Sequence, residues 1–194
     1  MVIAIDGPAG AGKSTVAQKV ASELGYRYLD TGAMYRAVAL AALRAGIDAE
    51  DAAALAGLAP LAPSLSGDPE LRSPEVERRV SRVARHPEVR HALHLAQRAF
   101  LAEGDAVGEG RDVGAVVWPE AELKIWLDAD PGVRARRRVR EHGDSAAAAA
   151  LVERDQLDAA QTVRAPDAVV IDSTELESDE VVDRIVALAR GAVA

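Results

Sequence analysis

The sequence predicts an α/β fold, a parallel sheet of about five strands flanked by helices. Three observations predict it. Short apolar runs alternate along the chain with longer segments of helical spacing, the pattern of strands joined by crossover helices. The first run passes through a glycine-rich turn straight into a helix. Hydrophobic residues are 49% of the 194, enough to bury a core in a chain the size of one domain.

The elements follow in order. Val2 to Ile5 is a buried strand ending at Asp6. Lys13 to Leu24 carries Val16, Val20 and Leu24 at helical spacing and is closed by Gly25. Tyr26 to Leu29 is a second strand, and Gly32 to Ala45 a helix ended by Gly46. Asp51 to Leu58 is a weak, Ala-rich helix. Ala59 to Pro74 holds four prolines and a glycine and reads as a loop. Glu75 to Ala84 and Val89 to Glu103 are helical, split at Pro87. Ala106 to Glu109 is a strand running into Gly110-Arg111-Asp112, and Leu123 to Leu127 another. Pro131 starts an Arg-rich helix that runs to about Glu141 and breaks at His142-Gly143-Asp144. Ser145 to Ala160 is helical, Ala168 to Ile171 the last strand and Glu180 to Ala189 the last helix.

Composition excludes several function classes. A net charge of -8 argues against a grip on a nucleic-acid backbone. No apolar run is long enough to cross a membrane, and the N-terminus has no signal-peptide pattern. With no cysteine, disulfides and Cys-ligated metals are ruled out. A cytoplasmic monomer without nucleic-acid or membrane partners is expected. Three Lys against 20 Arg is an unusual ratio. Arg offers a planar fork that matches phosphate oxygens in pairs, but an overall Ala and Arg bias explains the abundance too. Position must decide which arginines matter.

Gly7-Pro8-Ala9-Gly10-Ala11-Gly12-Lys13-Ser14 is Gly-x4-Gly-Lys-Ser without departure, with a strand before it and a helix after it. This is a P-loop. Its glycines let backbone N–H groups turn inward onto phosphate oxygens, and the helix N-terminus adds its dipole. Lys13 reaches the β and γ phosphates, the Ser14 hydroxyl can ligate Mg²⁺, and Thr15 completes the ATP-binding segment. ATP and Mg²⁺ are the expected cofactors. The loop alone does not name the reaction. The chain contains no asparagine, so the Asn-Lys-x-Asp element of guanine-specific switches is absent. A single short domain points to a small phosphotransferase.

Such an enzyme needs a second anion site and arginines for the charge on the transferred group. Leu29-Asp30-Thr31-Gly32-Ala33-Met34-Tyr35-Arg36 offers one at a helix start, where Thr31 and Tyr35 share a face. A capped helix with a partly buried Tyr and a solvated Arg reads equally well. Arg154 and Asp158 lie one turn apart on a helix. Five arginines between Arg134 and Arg140 repel one another without an anion nearby, although a solvated basic face is the plainer reading for any one of them. Asp6, Asp128 and Asp172 each end a strand as a Walker B aspartate does, and each also suits a cap or a turn.

The chain resembles the bacterial cytidylate kinases, which phosphorylate CMP and dCMP with ATP. The resemblance rests on Ile5 to Ser14, Leu29 to Arg36, and Val80-Ser81-Arg82-Val83-Ala84 with Val89-Arg90. It continues through Gln97-Arg98, Gly110-Arg111-Asp112-Val113-Gly114, Val117-Trp118-Pro119, Arg154-Asp155 with Asp158, and Pro166 to Ser173. It implies that Thr31, Tyr35 and Arg36 contact the monophosphate. Arg72, Ser81, Arg90, Arg111 and Asp112 would contact the phosphate, base or sugar of CMP. Arg154 would grip the phosphate and Asp158 the ribose hydroxyls. Arg134 and Arg138, catalytic with Lys13, would sit in a lid at about 134–147 with its tip at His142-Gly143-Asp144. The implied organisation is a single P-loop kinase domain, with a core at 1–35 and 105–194 and a small helical monophosphate-binding lobe at about 36–104.

Two departures stand out. The family's insertion before the Ser81 region is compressed here into about Pro60 to Ser73. Gln161 stands where many members carry a phosphate-binding Arg, with Arg164 a candidate substitute. Another small P-loop kinase, or a nucleotide-binding regulator that lacks the second phosphate site, is the alternative reading.

Overall fold

The computed structural model describes residues 1–142 and 146–192. It contains two compact units, Met1–Leu29 with Leu101–Ala194, and Asp30–Phe100.

The first unit is built on a five-stranded sheet. Its strands are β1 (Val2–Asp6), β2 (Arg27–Asp30), β3 (Ala106–Gly110), β4 (Leu123–Asp128) and β5 (Val169–Asp172), in the order β2-β3-β1-β4-β5. The pairs β1–β3, β1–β4 and β4–β5 are parallel. β1 is central and wholly buried, which explains its unbroken apolar run. β5 is an edge, and Val169, Val170 and Asp172 are exposed there. Helix α1 (Lys13–Leu24) begins and ends where the sequence places it. Its Val16 and Val20 join Ile3, Ile5, Ile125 and Leu127 of the sheet, and Val182, Ile185 and Val186 of the last helix, in one core. Burial of this kind stabilises by about 25 cal/mol per Å² of apolar surface.

The second unit centres on α2 (Thr31–Ala45), where every residue from Met34 to Ala42 is buried. α2 takes in positions that the sequence divides between core and lobe at 36. Around it lie α3 (Ala52–Gly57), α4 (Ala62–Leu65), α5 (Pro74–Ala84) and most of α6 (Pro87–Ala102). The stretch read as a loop, Ala59 to Pro74, is instead a chain of short helical turns, Ala59–Leu61, α4 and Pro69–Arg72. Proline punctuates a chain, but it also suits the first turn of a helix, and here it starts new turns. Pro87 likewise opens α6 rather than lying between helices.

In the first unit α7 (Pro131–His142) follows β4, α8 (Ala146–Asp158) ends in a 3-10 turn at Ala159–Gln161, and α9 (Ser178–Ala192) closes the chain. Gly143 and Asp144 of the expected lid tip lie outside the described residues. No helix among the described residues is long and apolar enough to cross a membrane.

Candidate active site

Parallel sheets bind ligands beyond the carboxyl ends of their strands. Asp6 stands level with Gly110 of β3 and Trp126 of β4, so the P-loop leaves β1 beside the Gly110-Arg111-Asp112 turn. Gly7 has φ 155°, and a Cβ added there would lie 2.0 Å from the Leu127 carbonyl oxygen. Gly12, with φ 92°, turns the chain into α1. Gly7→Ala will therefore cost about 3 kcal/mol or more in stability through strain and overlap. A lowered urea midpoint and lost ATP binding are the expected readings.

The first unit gathers cations at this loop. Lys13 folds back so that Nζ donates to the Pro8 carbonyl at 2.8 Å. Burial, with Arg111 and Arg154 beside it, holds its ammonium down at about 7, against the pull of Glu109 and Asp6. The Arg111 guanidinium donates to the Gly7 carbonyl at 3.2 Å and to Asp158 at 3.0 Å. Burial, together with the charge of Arg154, lowers its pKa, while Asp158 raises it. Asp158 also faces Arg154 at 3.6 Å across one turn of α8. The expected Arg154/Asp158 pair is thus formed, and Asp158 joins it to Arg111. Asp112 is buried in the turn after Arg111. Thr15 is exposed. Gln161 is half-buried and Arg164 exposed.

The Arg-rich helix is sorted by its surroundings. Arg134 is 8% exposed and donates to the Ala9 carbonyl of the P-loop at 2.9 Å and to Asp155 at 2.5 Å. Arg138 is half-buried, and Arg136 and Arg140 are exposed. Arg137 binds the Ser173 hydroxyl and carbonyl at 3.0 and 2.7 Å, tying α7 to the segment after β5.

The second unit holds the other expected residues. Asp30 caps α2, its Oδ1 accepting from the Ala33 N–H at 2.7 Å, while Oδ2 pairs with Arg36 at 2.8 Å. Arg36 is buried rather than solvated, and its Nε has no hydrogen-bond partner among the described residues. Thr31, Tyr35 and Ser81 are buried as well. The Arg90 guanidinium lies 5.8 Å from the centre of the Tyr35 ring. Arg72 is exposed on the Pro69–Arg72 turn. Gln97 is fully buried, and neither side-chain polar atom has a hydrogen-bond partner among the described residues.

Glu109, Asp30 and Asp155 escaped the sequence reading as site members, and Asp6 entered it only as one of three strand-end acids. Glu109, at the end of β3, accepts from the Ser14 hydroxyl at 2.6 Å and from the Tyr28 hydroxyl at 3.3 Å. A buried acid at the end of a strand next to β1 was the available signal. Asp30 was visible as an Asp directly before a helix. Asp155 faces Ala9 N–H at 3.4 Å, and Asp6 faces the turn after Asp112. Neither pairing leaves a trace in local spacing.

The sequence model of the Cytidylate kinase family matches residues 3–191. A cytidylate kinase of Solibacter usitatus is 44% identical, with all of this chain and 94% of the relative covered. One from Exiguobacterium sibiricum is 46% identical, covering 98% of this chain and 97% of the relative. The Solibacter alignment spans 217 positions against 194 residues here, so that relative carries 23 that this chain lacks. The solved structure of a gluconokinase from Sinorhizobium meliloti 1021 superposes with a TM-score of 0.58 at 18% identity, covering 98% of this chain and 93% of its own. That likeness shows a shared P-loop kinase fold. With the family pattern running from β1 to α9 and the phosphate loop set among buried arginines, the chain belongs to the cytidylate kinase family.

Proposed function

We propose that this chain transfers the γ-phosphoryl group of ATP to CMP and dCMP. The observation that carries the reading is the crowding of cations at the loop, where Arg111 donates to the Gly7 carbonyl at 3.2 Å and shares Asp158 with Arg154, at 3.0 and 3.6 Å. Such crowding costs energy until anions arrive. A triphosphate is bound by the loop N–H groups and Lys13, so the added arginines suit a second phosphate. A regulator that only bound nucleotide would have no use for them.

Lys13 and the α7 arginines Arg134 and Arg138 offset charge on the group in transfer. Arg111, Asp112, Arg154 and Asp158 are the acceptor-binding candidates of the first unit, and Thr31, Tyr35, Arg36, Arg72, Ser81 and Arg90 those of the second. Gln97 joins those candidates as a buried amide with no hydrogen-bond partner among the described residues. The acceptor is already a phosphate anion, so no strong general base is needed. Ser14 and Glu109 fit Mg²⁺, since a hydroxyl and a carboxylate 2.6 Å apart are the hard oxygen donors this ion takes. When bound with ATP, the ion neutralises phosphate charge. Among the described residues no cluster of three or more His, Cys, Asp or Glu side chains could hold a metal ion.

A coupled assay of ADP release with ATP and CMP, dCMP, UMP, AMP or shikimate tests the reading. Acceleration by CMP and dCMP is expected. If AMP or shikimate alone accelerates release, another acceptor replaces them, and if none does, the kinase reading falls.

ATP binding will also take up a proton. The Lys13 pKa near 7 leaves the amine mostly neutral at pH 8, and the triphosphate restores the ammonium by raising that pKa. Uptake approaches one proton at pH 8 and vanishes below pH 6, so affinity falls as pH rises above 7. Calorimetry in buffers of different ionisation enthalpy reads the uptake directly, and Lys13→Met should abolish it.

A further inference from the structure

Asp6 is a buried carboxylate that phosphate binding leaves without a task. It is 3% exposed at the end of β1. Its Oδ1 accepts from the Val113 N–H and its Oδ2 from the Gly114 N–H, each at 2.8 Å. These two amides open the π-helical turn Val113–Val117, directly after Arg111 and Asp112. The Asp112 carbonyl accepts from Ala115, Val116 and Val117 in the same turn. On the other side, Gly7, the neighbour of Asp6, receives the Arg111 guanidinium on its carbonyl. One short stretch of β1 and P-loop thus holds the Arg111-Asp112 segment by a side chain and by a backbone oxygen.

The chemistry requires an aspartate. Only a carboxylate offers a separate acceptor oxygen to each of the two N–H groups. An asparagine would set its own NH₂ against one of them, orphaning a buried donor. Burial raises the Asp6 pKa to about 7 despite these two bonds, with Asp112 pushing it up and Lys13 pulling it down. Both oxygens are committed to amides, so the Walker-type role suggested by its strand-end position gives way to that of a clamp.

We propose that Asp6 is a positioning residue for the acceptor side of the reaction, fixing Arg111 and Asp112 without itself touching substrate. The inference rests on the kinase reading above. Losing the clamp unseats two acceptor-binding residues while Lys13 and the loop N–H groups keep their hold on ATP.

Calorimetric binding of CMP and of a non-hydrolysable ATP analogue tests this in four proteins: wild type, Asp6→Asn, Arg111→Ala and the double variant. Asp6→Asn is expected to weaken CMP about tenfold and the analogue less than about twofold. In the Arg111→Ala background the same change adds clearly less than tenfold, because only the Asp112 share of the clamp is left to lose. Equal weakening of both ligands, or a full tenfold added to Arg111→Ala, would overturn the proposal in favour of a general structural role. If Asp6→Asn does not fold, amide exchange in the wild type decides. Val113 and Gly114 N–H protected like those of β1 support the clamp, and exchange as fast as an open loop overturns it. A wild type that binds no CMP sinks the kinase reading, whereas the exchange measurement tests the clamp without any ligand.

Discussion

Lys13→Met lowers kcat with CMP by about 10³-fold or more, and the protein stays folded. Methionine keeps the length and removes the charge. The lost term is the cation on the oxygens of the transferring group, an interaction worth most in the transition state and least in the resting protein. In the nucleotide-free protein burial holds the charge of Lys13 down and Arg111 and Arg154 repel it, against the pull of Glu109 and Asp6. Removing it relieves that repulsion and gives up a single bond to the Pro8 carbonyl. The melting temperature therefore stays level or rises while turnover collapses. Initial rates and a thermal melt on the same preparation check both halves. A kcat within tenfold of wild type would remove Lys13 from the chemistry.

Arg36→Ala lowers kcat/KM for CMP by about 10²–10³-fold and leaves the affinity for ATP intact. Arg36 belongs to the second unit, whereas the P-loop belongs to the first. Its guanidinium is aimed by Asp30, which also caps α2, so the arginine is held before any substrate arrives. Such preorganisation is the source of the large effect. The variant also leaves the Asp30 carboxylate without its cation, although the Ala33 N–H still satisfies one oxygen. A stability loss of about 1–3 kcal/mol accompanies the kinetic one. Arg36→Lys restores charge but not the planar fork, and recovers part of the activity. Unchanged kcat/KM for CMP in Arg36→Ala takes this residue out of the acceptor site.

Local patterns made much of this protein legible in advance. α1 runs from Lys13 to Leu24 as expected because apolar spacing, the P-loop before it and Gly25 after it all agree. β1 was legible as a short apolar run and β3 as a strand leading into Gly110-Arg111-Asp112, and both are buried in the sheet. The Ala59–Pro74 stretch was not, because proline signals a break without saying what resumes after it. The fate of single arginines was equally hidden. Arg134, Arg137 and Arg140 are one residue type on one helix, yet one binds the Ala9 carbonyl, one binds Ser173 and one faces solvent. Helical position alone does not name the neighbours.

The sequence by itself determined the phosphate loop, the α/β alternation around it and, through motifs in order along the chain, the family. These depend on contacts within a few residues, where the spacing in the chain is the spacing in space. Only the tertiary structure decided which acids serve which partners. Glu109 meets Ser14 across 95 residues, Asp6 meets Gly114 across 108, and Asp155 meets Ala9 across 146. Strand order sets these pairings, because it brings the carboxyl ends of β1, β3 and β4 side by side. That order is fixed by burying β1 and β3 at the centre of the sheet, and no local window of the sequence contains it.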